Sequence, residues 1–165
     1  MPNAPAKAVV CPFSVVVDTR EQQPYGFAGL KADRKHKSAT LFVPVVRKCL
    51  PVGDYSVVDY ESRVVVERKS KSDLWGSVGR RSNFERRLER MSEQFDYAAV
   101  VVEAELSEIL NDPPNFSTIT PKNLNRTILA WRQRYAVDWW FVPGRAFGEA
   151  YTLRILERFF RDATR

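Results

Sequence analysis

The feature that most constrains the fold is a pair of short valine-rich segments, residues 52–58 and 63–70, joined by a polar turn. Short runs of β-branched residues bounded by turn residues are typical of strands, so these segments predict a β-hairpin. The second strand ends in three consecutive charged residues, Glu67, Arg68 and Lys69. Such residues are almost never fully buried unless they are paired, so this end of the hairpin needs an explanation other than core packing.

The register of the hairpin decides which charged side chains meet. A four-residue turn over residues 59–62 places Asp54 directly across from Glu67, where opposed Cβ atoms lie about 4.5–5.5 Å apart. Lys69 lies on the same face because strand side chains alternate, and Arg68 points to the opposite face. A three-residue turn would instead move Asp54 to the other face. The expected register therefore gathers two carboxylates and one ammonium group at one end of the hairpin.

Two carboxylates at this distance repel each other unless a proton, neighbouring cationic side chains or a metal ion neutralises them. Oxygen ligands suit Mg²⁺ or Mn²⁺, and water activated by such an ion beside Lys69 can attack a phosphodiester. The alternative is an ordinary salt-bridge cluster of Asp54, Glu67 and Lys69 at the edge of a sheet. The hairpin alone leaves both interpretations open.

Composition narrows the class of protein. The chain of 165 residues is 44% hydrophobic, which suits one domain with a substantial core. Its 26 basic and 20 acidic residues give a net charge of +6, which favours nucleic acid as a partner. The single histidine, His36, excludes a site built on several histidines. Carboxylates, Lys, Arg, Tyr or Ser must therefore carry any chemistry.

Three further features favour an intracellular, cytoplasmic location. Cys11 and Cys49 form no CxxC pair and are too few for a disulfide framework. No apolar run approaches the roughly 20 residues that a membrane span needs. Residues 1–12 lack the apolar stretch of a secretory signal and indicate a flexible lead-in to a single domain over residues 13–165.

The order of predicted elements describes an α/β domain with a mixed sheet. Besides the hairpin, apolar runs predict strands over residues 13–18, 41–52, 97–103 and 137–142, of which the second is interrupted by Pro44 and Pro51 and is therefore an edge or bent strand. Helices are predicted after a capping box at residues 82–85, from a Thr120–Pro121 start, and over residues 146–162.

Three sequence blocks carry a family resemblance. VDTRE at residues 17–21, GDY at 53–55 and ERKSKSD at 67–73 together resemble the nuclease domain of the XPF-type structure-specific endonucleases, within the PD-(D/E)xK superfamily. The blocks occur in the family's order, and its ERK-x-x-x-D pattern is matched in full. The resemblance implies a restriction-endonuclease-like domain, in which helices flank a central mixed β-sheet.

The resemblance implies a role for each residue of the hairpin motif. Asp54 and Glu67 are the expected primary metal ligands, together with the backbone carbonyl of Arg68. Lys69 is expected to orient or activate the attacking water and to stabilise charge on the phosphate. The side chain of Arg68, on the opposite face, is expected to brace the fold by pairing with an acidic residue.

The resemblance also assigns roles to the residues around this motif. Asp18 and Glu21 are expected to complete the acidic cluster, with Asp18 as a further metal ligand. Arg20 is expected to contact phosphate or to brace the carboxylates. Asp73, the last position of the motif, is expected to hold Lys69 or Arg68 in place.

The implied activity is that of a Mg²⁺- or Mn²⁺-dependent DNA endonuclease acting on branched or junction-containing DNA in repair, recombination or replication. The expected type is a small freestanding bacterial or phage relative, in the host cytoplasm if phage-encoded, without a helix-hairpin-helix region. A catalytically silent DNA-binding or scaffolding subunit is one alternative, and a nuclease of RNA or generic single strands is another. The apolar final helix, residues 146–162, predicts either a homodimer or heterodimer contact or packing within the monomer.

Basic side chains near the motif are candidates for contact with the phosphate backbone. Residues 68–90 contain eight basic side chains, of which Lys71, Arg80 and Arg81 are the leading candidates, and a polar loop contributes Lys35 and Lys37. The other five are Arg68, Lys69, Arg86, Arg87 and Arg90. Ordinary solvated surface is the alternative for both groups. Trp75 is expected in the core, with base stacking as its alternative role.

Overall fold

A computed structural model of the chain describes residues 8–32, 39–115 and 117–165. The described strands are β1 (Val9–Val10), β2 (Val15–Asp18), β3 (Leu41–Phe42), β4 (Val45–Lys48), β5 (Tyr55–Val57), β6 (Val64–Lys69), β7 (Tyr97–Val102) and β8 (Asp138–Phe141). The described helices are α1 (Lys71–Gly79), α2 (Arg81–Gln94), α3 (Leu106–Asn111), α4 (Pro121–Arg134) and α5 (Arg145–Ala163). The loop residues Lys35, His36 and Lys37 and the first seven residues lie outside the described ranges.

Six of the strands form one mixed sheet in the order β4-β2-β5-β6-β7-β8. β5 is antiparallel to both of its neighbours, whereas β2 and β4 are parallel, as are β6, β7 and β8. β1 and β3 form a separate parallel pair. The predicted α/β domain with a mixed sheet is therefore confirmed.

The hairpin of β5 and β6 has the register that the four-residue turn predicts. Tyr55 pairs with Val66, which places Asp54 at the level of Glu67. Both paired residues belong to the same core cluster, so they share one face of the sheet. Because side chains alternate, Asp54 and Glu67 share the other face.

The sheet separates two apolar cores. One core packs against α5 and includes Tyr55, Val64 and Val66, whereas the other packs against α1, α2 and α4 and includes Val65. Alternation along β6 therefore sends Glu67 and Lys69 towards α1 and α2, and Arg68 towards α5. Trp75 lies in the second core and is only 4% exposed, which excludes base stacking by this residue in the present conformation.

Two predicted helix and strand boundaries need correction. α2 begins at Arg81, and no side chain caps it, so the predicted capping box does not form. The acidic member of that box, Glu85, instead accepts hydrogen bonds from Arg81 and from the indole of Trp131. The predicted strand over residues 41–52 is divided at Pro44 into β3 and β4, because proline cannot donate to the ladder.

α1 follows the motif directly and was not predicted. Ser70 caps it by accepting a hydrogen bond from the backbone N–H of Asp73 at 3.1 Å. The predicted start of α4 is confirmed, since Thr120 caps the helix and Pro121 is its first residue. Within the described ranges, none of the helices combines the length and apolarity needed to cross a bilayer.

Candidate active site

The charged end of β6 opens into a cavity of about 560 Å³, here called the motif cavity. Its other walls are formed by loop residues before β5, the loop after β2, the start of α1 and Arg87 in the middle of α2. The structure brings all eight candidate residues of the sequence analysis to its lining, namely Asp18, Arg20, Glu21, Asp54, Glu67, Arg68, Lys69 and Asp73.

Asp54 is held at the cavity by the backbone of the neighbouring strand. Its Oδ2 atom accepts a hydrogen bond from the backbone N–H of Arg68 at 2.7 Å. Burial, and then the nearby Glu67 carboxylate, raise the pKa of Asp54 to about 8. The preceding Gly53 has φ of +79°, and a Cβ atom there would lie 2.2 Å from Val65 Cγ2. The close approach of the two strands at this point therefore requires glycine.

The two carboxylate oxygens of Glu67 lie in different surroundings. Its Oε1 atom accepts from Arg87 Nη1 at 2.5 Å and lies 3.1 Å from Lys69 Nζ. Its Oε2 atom is buried and has no hydrogen-bond partner among the described residues. A buried carboxylate oxygen without a partner is unfavourable, so this atom needs a water molecule or a cation.

Lys69 lies on the predicted face beside Glu67. Besides this ion pair, its Nζ atom lies 4.5 Å from the centre of the Phe84 ring, within the range of a cation–π interaction. The aromatic ring belongs to α2, so this helix restricts where the ammonium group can point. Lys69 is therefore held at the cavity from two directions.

Arg68 pairs with acidic residues on the opposite face, as expected. Its guanidinium donates to both oxygens of Glu103, at 2.7 and 3.1 Å, and lies 3.6 Å from Glu21. Tyr25 donates its hydroxyl to the same Glu103 carboxylate at 2.7 Å. The Arg68 side chain therefore pairs with an acidic residue, Glu103, as the bracing role requires, and the role itself stays a prediction.

The backbone of Arg68 faces β5, whereas that of the next residue faces β7. The Arg68 N–H donates to the Asp54 carboxylate, and the backbone carbonyl of Lys69 accepts a hydrogen bond from the backbone N–H of Glu103. The N–H and C=O of one strand residue point to the same side, so the carbonyl of Arg68 also points towards Asp54. This orientation agrees with a carbonyl ligand at the motif cavity.

Both carboxylate oxygens of Asp18 are engaged by hydrogen bonds within the chain. Its Oδ1 accepts from the backbone N–H and the Nε of Arg20, both at 2.8 Å. Its Oδ2 accepts from Arg20 Nη2 at 3.0 Å and from the backbone N–H of Leu50 at 2.6 Å. A carboxylate offers about four lone pairs, and all four are engaged. The contacts of Asp18 therefore do not support its expected metal role, whereas the contact of Arg20 with this carboxylate agrees with the bracing alternative, which stays a prediction.

Glu21 and Asp73 also differ from their expected contacts. Glu21 lies in the motif cavity but accepts from the backbone N–H of Gln23 at 2.7 Å and faces Arg68. Asp73 is exposed in the first turn of α1, and in the described part of the chain its carboxylate pairs with neither Lys69 nor Arg68. The expectation that Asp73 holds these residues is therefore wrong, since Glu67 and Glu103 do so.

Of the leading candidates for phosphate contact, the described ones, Lys71, Arg80 and Arg81, do not line the motif cavity. Lys71 pairs with Asp112 and Glu108, which neutralise it, so its expected phosphate role is not supported. Arg80 and Arg81 are exposed where α1 meets α2, and their role stays a prediction. Lys35 and Lys37 fall outside the described residues.

The sequence analysis missed Glu103 and left Arg87 among the basic residues of the segment 68–90 without singling it out. Arg87 belongs to a run of arginines in α2, where only the three-dimensional structure shows which of them faces the motif cavity. Glu103 follows β7 directly, in the same way that the motif ends β6, because β6 and β7 are parallel and aligned from Val64 to Lys69. An acidic residue at the end of the adjacent parallel strand was therefore the signal available for Glu103.

The lining suits a hard divalent cation held by few protein ligands. No group of three His, Cys, Asp or Glu side chains in residues 8–32, 39–115 and 117–165 forms a ready cage. Asp54 and Glu67 nevertheless share the cavity, and Glu67 Oε2 is buried without a partner. Mg²⁺ and Mn²⁺ accept oxygen ligands, and Mg²⁺ keeps several waters, so two carboxylates and one carbonyl fit such an ion.

The comparisons with known proteins agree with this geometry. Two solved structures of XPF from Aeropyrum pernix share the fold with TM-scores of 0.57 and 0.62, at 23% and 22% identity, and the second is a complex with DNA. Each covers 92% of this chain, which spans 62% and 66% of those chains. No curated protein sequence is significantly similar. The fold is thus the restriction-endonuclease-like fold of XPF nuclease domains, and since the ERCC4 domain model matches residues 17–149, the chain belongs to the ERCC4 domain family.

Proposed function

We propose that this protein is a divalent-metal-dependent endonuclease that hydrolyses phosphodiester bonds in DNA. The observation that carries the proposal is the convergence of Asp54 and Glu67 in one cavity, with a buried Glu67 oxygen that has no partner, beside the ammonium group of Lys69. A plain salt-bridge cluster would need a water molecule on this oxygen, whereas a metal ion would bind it directly.

Asp54, Glu67 and the carbonyl of Arg68 would hold Mg²⁺ or Mn²⁺. The ion would supply Lewis acidity and lower the pKa of water, which provides a nucleophile near neutral pH. Lys69, held by Glu67 and the Phe84 ring, would orient the attacking water and stabilise negative charge on the phosphate. By family resemblance, in-line attack leaves a 5′-phosphate and a 3′-hydroxyl.

DNA with a junction between duplex and single strands is the proposed substrate. This preference rests on membership of the ERCC4 domain family and on the likeness to the XPF fold, of which one structure is a complex with DNA. The net charge of +6 favours contact with a polyanion but carries no preference for a branched form. The shape of the DNA must therefore be tested directly.

The decisive experiment incubates the purified protein with labelled fork, flap, nicked, junction, plain duplex and single-stranded DNA, with Mn²⁺ or with excess chelator. We expect cleavage near the junction of branched substrates in Mn²⁺ and none in chelator. Full cleavage in chelator would remove the metal mechanism. DNA binding without cleavage of any substrate would favour a silent subunit, and preferential cleavage of RNA or of unpaired strands would favour a single-strand nuclease.

We propose in addition that a second copy of the chain docks on β8 and α5. Of the sheet strands within the described ranges, β8 is an edge strand, and Trp140 on it is 39% exposed. On α5, Phe147 and Tyr151 lie one turn apart and are 52% and 40% exposed. A largely apolar cavity of about 570 Å³ lies between α5 and the last strands, and Trp140 and Tyr151 are among the residues that line it. A contiguous aromatic patch of this kind is typical of a protein interface.

Sedimentation equilibrium over a range of concentrations tests the dimer. We expect the wild type to dimerise and Tyr151→Glu to remain monomeric, because a charge would be buried at the interface. Lys122→Glu, on α4, is the matched control. A wild type that is monomeric at the highest concentration would contradict the dimer and leave the nuclease proposal untouched.

A further inference from the structure

We infer that Arg87 is a further catalytic residue, which contacts Glu67 and the phosphate undergoing hydrolysis at the same time. This inference rests on the proposed nuclease function. None of the three sequence blocks that carry the family resemblance contains Arg87. Its position in the site is a consequence of how α2 packs on the sheet.

Arg87 reaches the motif cavity from α2. Its Nη1 atom donates to Glu67 Oε1 at 2.5 Å, and the Glu67 side chain is only 1% exposed. The Arg87 side chain is 41% exposed and lines the motif cavity. One end of the contact is thus buried, whereas the guanidinium itself stands at the boundary between the cavity and solvent.

Most of the hydrogen-bond donors of Arg87 remain available. A guanidinium has five N–H donors in a planar fork, and the contact with Glu67 is the only one that Arg87 makes to the described residues. The charge and the planar arrangement suit a second anion with paired oxygens, such as a phosphate. A lysine offers one point of charge and cannot bridge two anions in the same way.

The neighbouring arginines of α2 have other partners. Arg86 donates to the side chain of Asn83 at 2.6 Å, and Arg90 donates to the carbonyl of Pro51 at 2.8 Å. Of the described arginines of α2, Arg87 alone lines the motif cavity. The helical period of 3.6 residues explains this selection, because adjacent residues point about 100° apart.

Arg87 and a metal ion can bind Glu67 at the same time, because each contacts a different carboxylate oxygen. Arg87 and Lys69 both contact Oε1, whereas Oε2 has no partner among the described residues. Arg87 can therefore stay on Oε1 while Oε2 binds a cation. Charge that develops on the phosphate would then meet Arg87 from the side of α2 and Lys69 from β6.

Single-turnover cleavage of a labelled splayed-arm fork, at saturating protein and Mn²⁺, tests the phosphate contact. We expect Arg87→Ala to slow this rate about 100-fold, as loss of one donor to transition-state charge does elsewhere. Arg87→Lys should recover only part of the rate. The matched control, Arg86→Ala, removes the same charge one residue away and should change the rate by at most about threefold.

Calorimetric titration of the DNA-free protein with Mn²⁺ separates this role from a merely structural one. Removal of a cation near the ligands should tighten Mn²⁺ binding of Arg87→Ala by about three- to tenfold while cleavage falls. Weaker Mn²⁺ binding together with slower cleavage would mean that Arg87 only positions Glu67, which overturns the inference. Equal cleavage rates for the Arg87→Ala and Arg86→Ala variants would also overturn it.

The same measurements distinguish this inference from the proposed function. A wild type that binds Mn²⁺ and cleaves the fork, with Arg87→Ala unaffected, refutes the role of Arg87 alone. A wild type that neither binds Mn²⁺ nor cleaves refutes both. Circular dichroism melts of each variant show whether the fold is retained, and Arg87→Lys serves if the alanine variant is unfolded.

Discussion

Arg68 and Glu103 form a two-point ion pair beneath the motif cavity, with N–O distances of 2.7 and 3.1 Å. The same residue, Arg68, donates its backbone N–H to Asp54 on the cavity side. Arg68 therefore connects the candidate ligand Asp54, through its backbone, to the ion pair on the opposite face of the sheet, through its side chain. Rigid support of this kind keeps catalytic groups in place before substrate binds.

Loss of this buried pair should destabilise the protein strongly. We expect Glu103→Ala to lower the free energy of unfolding by about 3–5 kcal/mol, because it leaves the Arg68 charge buried without its main partner. Asp96→Ala, which removes an exposed pair with Arg63, should change it by at most about 1 kcal/mol. Urea unfolding measures both. A Glu103→Ala effect as small as that of the control would show that the pair carries little stability.

Replacement of Gly53 should disturb the hairpin. Gly53→Ala imposes strain at φ of +79° and a clash with Val65, so we expect a loss of about 2 kcal/mol or more in unfolding free energy. Gly26→Ala is the control, because no atom lies within 4 Å of its added Cβ. The unfolding free energies of the two variants, measured in urea, should therefore differ clearly. Equal values would contradict the close approach of the two strands.

Removal of the Asp54 charge should abolish cleavage and spare the fold. We expect Asp54→Asn to slow cleavage about 1000-fold or more, since one of two carboxylate ligands is lost. Its melting temperature should match or exceed that of the wild type at neutral pH, because folding of the wild type must protonate the Asp54 carboxyl, which is ionised in the unfolded chain. Asp59→Asn, at the exposed turn of the same hairpin, is the control. Unchanged turnover of Asp54→Asn would refute the ligand role.

The raised pKa of Asp54 predicts a pH-dependent stability. Its carboxyl has a pKa of about 8 in the folded protein against an ordinary value of 3.8, so folding favours the protonated form. The wild type should lose stability relative to Asp54→Asn as pH rises from about 4 to about 8, and the difference should then stay constant. Thermal melts of both proteins in chelator measure it. A difference that shrinks with rising pH would contradict the sign of the shift.

The same pKa predicts that metal binding releases a proton. Near pH 7 most Asp54 side chains are protonated in the metal-free protein, and a ligand carboxylate must be ionised. We expect about one proton released per Mn²⁺ bound, from calorimetry in buffers of different ionisation enthalpy. Asp54→Asn should release close to none, and a wild type with no release would contradict the raised pKa.

Local sequence patterns were sufficient to predict the hairpin and the side of the sheet on which each motif residue lies. The alternation of strand side chains and the length of the turn determine that Asp54, Glu67 and Lys69 share a face, and that Arg68 does not. These relations depend on residues close together in the chain. The start of α4 at Thr120 and Pro121 was predictable for the same reason.

Partners from distant parts of the chain were decided only by the tertiary structure. Arg87 meets Glu67 because α2 packs across the end of β6, and Glu103 meets Arg68 because β7 lies parallel beside it. Asp18 has its oxygens occupied through the approach of Leu50. Such contacts depend on the packing of whole elements against one another, which the periodicity of a single segment does not encode.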